Sequence, residues 1–254
     1  MKVTVLQRRG RISTPDFTAT LQRSLSNLKG DLYVTAKFIE FSPHGWAVVD
    51  VEGADREVFL ELLAQKLGLA HSNFLELKPY ANYPGQIISF NRDLEVDIGV
   101  ESPDPINVTV KLGSLRAQLA YGKPIGTKEI QDAYCLFPGS KADVRITSMN
   151  QNEPILAAWL SDSQIKLFAD WISTDLDRVQ ILNCTHEQLD YAIHKTNLER
   201  DIISAESMTL TTHFVTCKLG TDGVGLIPKL GPFLRQSELK TFLPKRIRTI
   251  SGSW

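Results

Sequence analysis

Leu32-Tyr33-Val34-Thr35-Ala36-Lys37-Phe38-Ile39-Glu40-Phe41, Ser42-Pro43-His44-Gly45 and Trp46-Ala47-Val48-Val49-Asp50-Val51 read in succession as an aromatic and β-branched strand, a turn and a second strand, which makes a hairpin. Working outward, each side of the hairpin carries a helical pattern. Before it, Thr14-Pro15-Asp16 opens a helix with Thr14 as cap and Pro15 in the first turn, and Phe17, Leu21, Leu25 and Leu28 recur at helical spacing up to Gly30. After it, Asp55 to Leu67 places Val58, Leu62, Leu63 and Leu67 on one face before Gly68. One step further out, Val3 and Val5 alternate with polar neighbours in Met1-Lys2-Val3-Thr4-Val5-Leu6, and the apolar stretch Phe74 to Leu77 supplies a closing strand. Residues 1–80 are therefore expected to fold as β-α-β-β-α-β, a ferredoxin-like split-βαβ domain, in a chain of class α+β.

RNA-recognition modules share that topology, but they present aromatic residues on the central strands in a Lys/Arg-Gly-Phe/Tyr-Gly/Ala-Phe context. Here the third strand offers Trp46 alone, and a hairpin or core residue is its plainer reading.

A chain of 254 residues exceeds the usual single-domain size, so two or three cores are expected. Its 43% hydrophobic and 22% charged residues suffice for ordinary cores, and the absence of a long apolar run argues against a membrane span. The first strand runs directly into Arg8, Arg9 and Arg11 without the apolar core of a secretory signal, so a cytoplasmic location is expected. Cys135, Cys184 and Cys217 are odd in number and far apart, which suits buried reduced thiols better than a disulfide framework or a metal knuckle. Cys184 with His186, and Cys217 with His213, are close along the chain, yet that spacing does not aim one side chain at the other. The histidines form no His-x-x-x-His pair and no Gly-x-Ser-x-Gly elbow exists, so no metal, cofactor or catalytic residue is expected.

Beyond a linker at Tyr80 to Gly85, the stretch 84–150 is turn-rich and β in character. Gly85-Gln86-Ile87-Ile88-Ser89-Phe90 and Leu94-Glu95-Val96-Asp97-Ile98-Gly99-Val100 alternate as strands, Val108 to Leu112 offers a third, Leu115 to Leu119 a helical turn, and Thr127 to Leu136 a short helix. Pro138-Gly139-Ser140 then launches Ala142-Asp143-Val144-Arg145-Ile146-Thr147. This order resembles an S1-like OB barrel. The resemblance implies a binding face with aromatic stacking platforms on the second and third strands, where this chain has Leu94 and Val96 in an acidic stretch that includes Asp93, Glu95, Asp97, Glu101 and Asp104.

A third α+β unit is expected over 155–254, with Pro154 to Trp159 as the bridge into it. Ser161 or Asp162 caps a helix bearing Ile165, Phe168, Trp171 and Ile172; Val179 to Leu182 is a strand; and Thr185 with Gln188 forms a capping box for the next helix. Ile202-Ile203, Met208 to Leu219 and Val224 to Pro228 read as strands. The loop from Gly220 to Gly231 joins the last two, so Asp222-Gly223 reads as a hairpin turn. Its competing reading is a phosphate cradle formed by Gly220, Thr221, Gly223 and Gly225, with Lys229 as the cation. It fits neither the Walker nor the dinucleotide spacing. Glu199-Arg200-Asp201 with Glu206 reads as a salt-bridged helix end rather than an acid-base pair.

Val179-Gln180-Ile181-Leu182, Arg200-Asp201-Ile202-Ile203 and Val215-Thr216-Cys217-Lys218-Leu219-Gly220-Thr221-Asp222-Gly223-Val224-Gly225-Leu226-Ile227-Pro228 resemble an archaeal family of uncharacterised proteins, over most of the chain. The resemblance implies an archaeal cytosolic protein with no assigned reaction.

The formal net charge of −1 excludes a protein dominated by nonspecific attraction to polyanions, but cations gather at both ends. Arg8, Arg9 and Arg11 at one end, and Lys229, Arg235, Lys245, Arg246 and Arg248 at the other, would contact phosphates if the ends fold to one side. The expected function is non-enzymatic binding of RNA or a ribonucleoprotein. The alternatives are an enzyme taking a phosphorylated small molecule or nucleotide at 220–231, and a scaffold with a protein partner.

Overall fold

The computed structural model describes residues 1–71, 73–100, 106–150 and 155–252. In the first unit β1 (Lys2–Arg8), α1 (Thr14–Lys29), β2 (Val34–Phe41), β3 (Trp46–Gly53) and α2 (Arg56–Lys66) build an antiparallel sheet in the order β1-β3-β2. The cap of α1 falls one residue earlier than expected, on Ser13, whose hydroxyl accepts from the Asp16 amide. Phe17, Leu21 and Leu25 of α1 and Phe59 and Leu63 of α2 pack on Val5, Val49 and Val51.

The closing strand expected over 74–77 does not form. Asn73 accepts from the Leu75 amide at 3.0 Å and starts a single 3-10 turn, Phe74–Glu76, while Phe74 and Leu77 turn into the core of the second unit. The edge beside β1 is filled by residues 68–70 instead, where Leu6 donates to the Gly68 carbonyl (3.0 Å) and Ala70 to the Thr4 carbonyl (2.9 Å). Two hydrogen bonds make a stub, so the first unit has three strands rather than four.

The second unit is a closed barrel. β4 (Asn82–Phe90), β5 (Leu94–Asp97), β6 (Asn107–Val110), α3 (Leu112–Ala120), α4 (Thr127–Tyr134), β7 (Lys141–Asn150) and β8 (Ile155–Leu160) give the strand order β4-β5-β6-β8-β7. Every pair is antiparallel except β6 with β8, which is parallel, and this is the arrangement of an OB-like barrel. The stretch expected to bridge into the third unit is thus the fifth barrel strand. Without it the edges of β6 and β7 would lie open. Pro154, Glu101 and Asp104 fall outside the described residues.

The third unit follows as α5 (Asp162–Ser173), β9 (Arg178–Leu182), α6 (His186–Lys195), β10 (Ile202–Thr209), β11 (Thr212–Cys217), α7 (Gly223–Leu230), β12 (Glu238–Phe242) and α8 (Pro244–Ser251). Val224 to Pro228 is helical, not a strand, because the Asp222 carboxylate accepts from the Val224 amide and Leu226 and Leu230 bury one face. From β9 to β12 the elements therefore run β-α-β-β-α-β, in an antiparallel sheet ordered β10-β11-β9-β12. The complete split-βαβ topology expected of residues 1–80 lies here.

One face of this sheet packs on Leu189 of α6 and Leu226 of α7. The other packs on α5 and the barrel unit through rings: Trp171 of α5 meets Phe214 of β11 with centroids 4.6 Å apart and Phe242 of β12 at 5.2 Å, and Tyr134 of α4 meets Phe242 at 6.4 Å. The surface on which an RNA-recognition module would stack bases is consequently filled. β1 and the residues after it are wedged between the other two units: Gln7 accepts from the Leu210 amide (2.9 Å), and the Asn183 carboxamide accepts from the Arg11 amide (2.9 Å). Among the described residues no helix is long and apolar enough to cross a membrane.

Candidate nucleic-acid interface

The terminal cations divide into three groups. Arg8 is internal: its guanidinium pairs with Asp97 of β5 and lies 4.0 Å from the Trp46 ring centroid, while the Trp46 indole donates to the same carboxylate at 3.2 Å. Burial lowers the Arg8 pKa, and the attraction of Asp97 opposes it. Arg8 is thus a tie between the first unit and the barrel and no phosphate contact, and Trp46 is a core residue. Lys229 at the end of α7, and Lys245 and Arg246 at the start of α8, are exposed but stand on other elements, and Arg248 pairs with Asp175 at 2.7 Å. The two ends of the chain therefore do not merge into one continuous basic surface.

Of the remaining three, Arg235 lines a cleft, while the Arg9 guanidinium lies over the Phe41 ring, 5.9 Å from its centroid. The cleft, of about 540 Å³, runs between the first unit, through Ile12, Ser13 and Asp16, and the third, through Asn183, Gln188 and residues 232–237. Arg11 closes its rim by pairing with Glu238 at 2.9 Å, and Arg9 is held by the Ile12 carbonyl at 3.1 Å. Gly10 allows this approach. It sits at φ +58°, and a Cβ there would stand 2.4 Å from Asn183 Oδ1.

The polar groups of the cleft have fixed directions. Asn183 Oδ1 accepts from the Arg11 amide and Gln188 Oε1 from the Thr185 amide (3.0 Å), so each carboxamide keeps its oxygen on backbone and leaves its NH2 as a donor. Arg235 uses only Nε, toward the Pro232 carbonyl at 3.3 Å, which leaves both Nη groups. Beside them Phe233 keeps 46% of its surface in solvent. Three donors beside one ring suit an oxygen-rich anion carrying a flat group.

The glycine-rich loop has a different environment from the one expected. It joins a strand to a helix, so Asp222-Gly223 is a helix cap and no hairpin turn. Asp177 accepts from the Gly223 amide (3.0 Å) and Asp222 from the Val224 amide (3.0 Å). The Gly223 amide is taken by a carboxylate and the Thr221 amide by the Lys218 carbonyl (2.9 Å), and the depression of about 290 Å³ beside Gly220 and Thr221 is lined by Asp175, Asp177 and Asp222 against Lys218 and Lys245, a net acidic wall. That charge opposes an anion.

Burial pushes the Cys184 thiol up to about 12 and the Cys217 thiol up to about 11, and raises Cys135 further. The ring of His213 bonds the Cys184 carbonyl at 2.8 Å, so it meets the backbone of that residue and not its sulfur. Glu199 pairs with His194 (2.9 Å) at the end of α6, while Glu206 bonds Ser204 on β10. In the acidic centre Asp93 is used by Lys111 and the Leu112 amide, and Glu95 by Ser89.

Asn183, Gln188 and Phe233 were not legible as site residues. One signal did exist: the capping box of Thr185 and Gln188 already commits the Gln188 oxygen to backbone and frees its nitrogen. Trp159, expected in a bridge, stands on β8. Strand alternation in Ile155-Leu156-Ala157-Ala158-Trp159-Leu160 would have sent it outward.

No curated protein matches the chain. Among solved structures it is similar to GSP13 from Bacillus subtilis, at 12% identity over 35% of this chain and 58% of that one, with a TM-score of 0.27. It is also similar to a chain of the a/eIF2alpha-aDim2p-rRNA complex from Pyrococcus horikoshii OT3, at 9% identity over 48% of this chain and 64% of that one (TM-score 0.27). A third is a multidomain protein with nucleic acid binding domains from Streptococcus pneumoniae TIGR4, at 10% identity over 70% and 57% (TM-score 0.22). The chain spans about three fifths of the length of these structures. Residues 176–242, which run from just before β9 to the end of β12, match the family model described as the DUF2110 C-terminal domain, a domain of unknown function.

Proposed function

We propose that the protein binds single-stranded RNA, without catalysis, in the cleft between its first and third units. The observation that carries this reading is the set of fixed donors there: the NH2 groups of Asn183 and Gln188 and the guanidinium of Arg235. Phosphate oxygens accept from these donors, Arg11 adds a cation beside the cleft by exchanging its exposed pair with Glu238 for a phosphate, and the Phe233 ring offers a face to one base. Asp16, on the opposite wall, accepts from a ribose hydroxyl. Lys229, Lys245 and Arg246 contribute only where a longer RNA reaches α7 and α8.

Filter binding of an RNA oligonucleotide at rising salt tests this. Affinity is expected to fall linearly in log-log form, and Arg235→Ala is expected to lower the slope by about 0.7. Asn183→Asp keeps the oxygen that the Arg11 amide needs and replaces the donor by a negative charge, so it is expected to weaken binding by about tenfold with little loss of stability. Absent or salt-independent binding rejects the reading.

A further inference from the structure

The barrel carries a second feature that the cleft does not use. Along β8 the side chains of Leu156, Ala158 and Leu160 are buried, while Trp159 points outward with 52% of its surface exposed. The strand register sets Trp159 opposite Arg145 of β7, and Arg145 opposite Asn82 of β4. Arg145 is held from two sides, donating to the Tyr80 carbonyl (3.2 Å) and to Asp162 (3.0 Å). Tyr80 is itself 69% exposed. On the other flank β6 pairs Val110 with Ala158, so the next residue, the exposed Lys111, which pairs with Asp93 at 3.0 Å, follows beside Trp159. Two exposed aromatic residues thus bracket one positioned arginine, with a lysine beyond.

We propose that this wall is a stacking platform for single-stranded nucleic acid, with bases on Trp159 and Tyr80 and the backbone following Arg145 and Lys111. The inference rests on the reading of the protein as an RNA binder and adds a contact tract separate from the cleft. The chemistry favours a polyanion with flat groups: an indole face accepts any base, and a cation beside it meets the phosphate. The Asp162 carboxylate that now holds Arg145 is itself 85% exposed, and a surface pair of that kind is weak enough for a phosphate to replace it. The platform lies away from β5, whose Asp97 is already occupied by Arg8 and Trp46 where the first unit docks. The docked unit explains why the aromatic platform is on β8 and not on the second and third barrel strands.

Tryptophan emission reports the contact in a Trp254→Phe background, because Trp46 and Trp171, the other two tryptophans besides Trp159, are buried. A single-stranded oligouridine of roughly twelve nucleotides, within the span of an OB barrel, is titrated into the protein and its variants. In that background quenching is expected, and it is expected to disappear when Trp159→Phe is added. Trp159→Ala is expected to weaken binding by roughly 5- to 100-fold, with an unchanged melting temperature since the ring is exposed. If the oligonucleotide binds, yet adding Trp159→Phe leaves the quenching unchanged and Trp159→Ala binds equally well, the platform is refuted and the cleft reading stands. If the wild type binds no oligonucleotide, both fall.

Discussion

His213 is 1% exposed on β11, and its two ring nitrogens are both engaged, one with the Cys184 carbonyl at 2.8 Å and the other with Ser207 Oγ at 2.9 Å. A carbonyl only accepts, so Nε2 carries the proton and Nδ1 takes the serine hydroxyl, which describes a neutral ring. Burial pushes its pKa down to about 4, the Cys184 carbonyl pulls it back up, and the ring of His186, 5.8 Å away, adds to the depression. In the unfolded chain the same group titrates at its ordinary value of 6.5. Between these values the unfolded state binds the proton and the native state does not, so stability is fully present above pH 6.5 and is lost as pH falls toward 4. The loss attributable to this ring is about 3 kcal/mol. Urea midpoints at pH 7, 5.5 and 4 for the wild type and for His213→Gln give the check; equal slopes for the two proteins would show that another group governs the acid limb. Sequence proximity paired Cys184 with His186 and Cys217 with His213, but which atoms meet depends on strand register, and the register places His213 Nε2 on the Cys184 carbonyl.

At the scale of elements, α7 shows how little a short apolar run says about itself. Val224-Gly225-Leu226-Ile227-Pro228 is compatible with a buried strand or a buried helix, since five residues hold no resolvable period. Two carboxylates choose the helix: Asp222 from within the loop and Asp177 from just before β9 occupy the first amides. Asp222→Ala is expected to destabilise the protein by about 1 kcal/mol, read as a lower urea midpoint at unchanged m-value. A phosphate-binding loop would respond differently, with inorganic phosphate restoring the midpoint. The helices of the first unit were legible because α1 spans 16 residues with Phe17, Leu21 and Leu25 in register, and the capping box of α6 was legible because both partners lie within four residues. Phe74 to Leu77 failed for the converse reason. Phe74 and Leu77 are core residues, but of the neighbouring unit, and Leu75 is exposed.

At the scale of the molecule, the Arg8, Asp97 and Trp46 cluster joins the first unit to the barrel and sits almost out of solvent. Removing one partner of such a pair leaves the other charge buried, so Asp97→Asn is expected to cost about 3 to 5 kcal/mol. The double replacement Arg8→Met with Asp97→Asn, which removes the unpaired charge and keeps an amide oxygen for the Gly99 amide, is expected to recover part of that, and limited proteolysis near residue 70 is expected to accelerate most in the single variant. Equal urea midpoints for Asp97→Asn and wild type would show that the cluster is no tie.

What the sequence alone determined was local: the hairpin of β2 and β3, the helices α1, α2, α5 and α6, the barrel strands β4, β5 and β7, and the gathering of cations toward the two ends. Each of these is written in hydrophobic periodicity, caps and turn residues within about a dozen positions. Tertiary structure alone decided which strand closes the barrel, which unit completes its four-stranded sheet, and which cations stay free. Those outcomes turn on pairings between residues far apart in the chain, such as Arg8 with Asp97, Asn183 with the Arg11 amide and β6 with β8. A charge shows its sign in the sequence, but its availability to a ligand depends on which opposite charge or backbone group the fold brings within hydrogen-bonding distance.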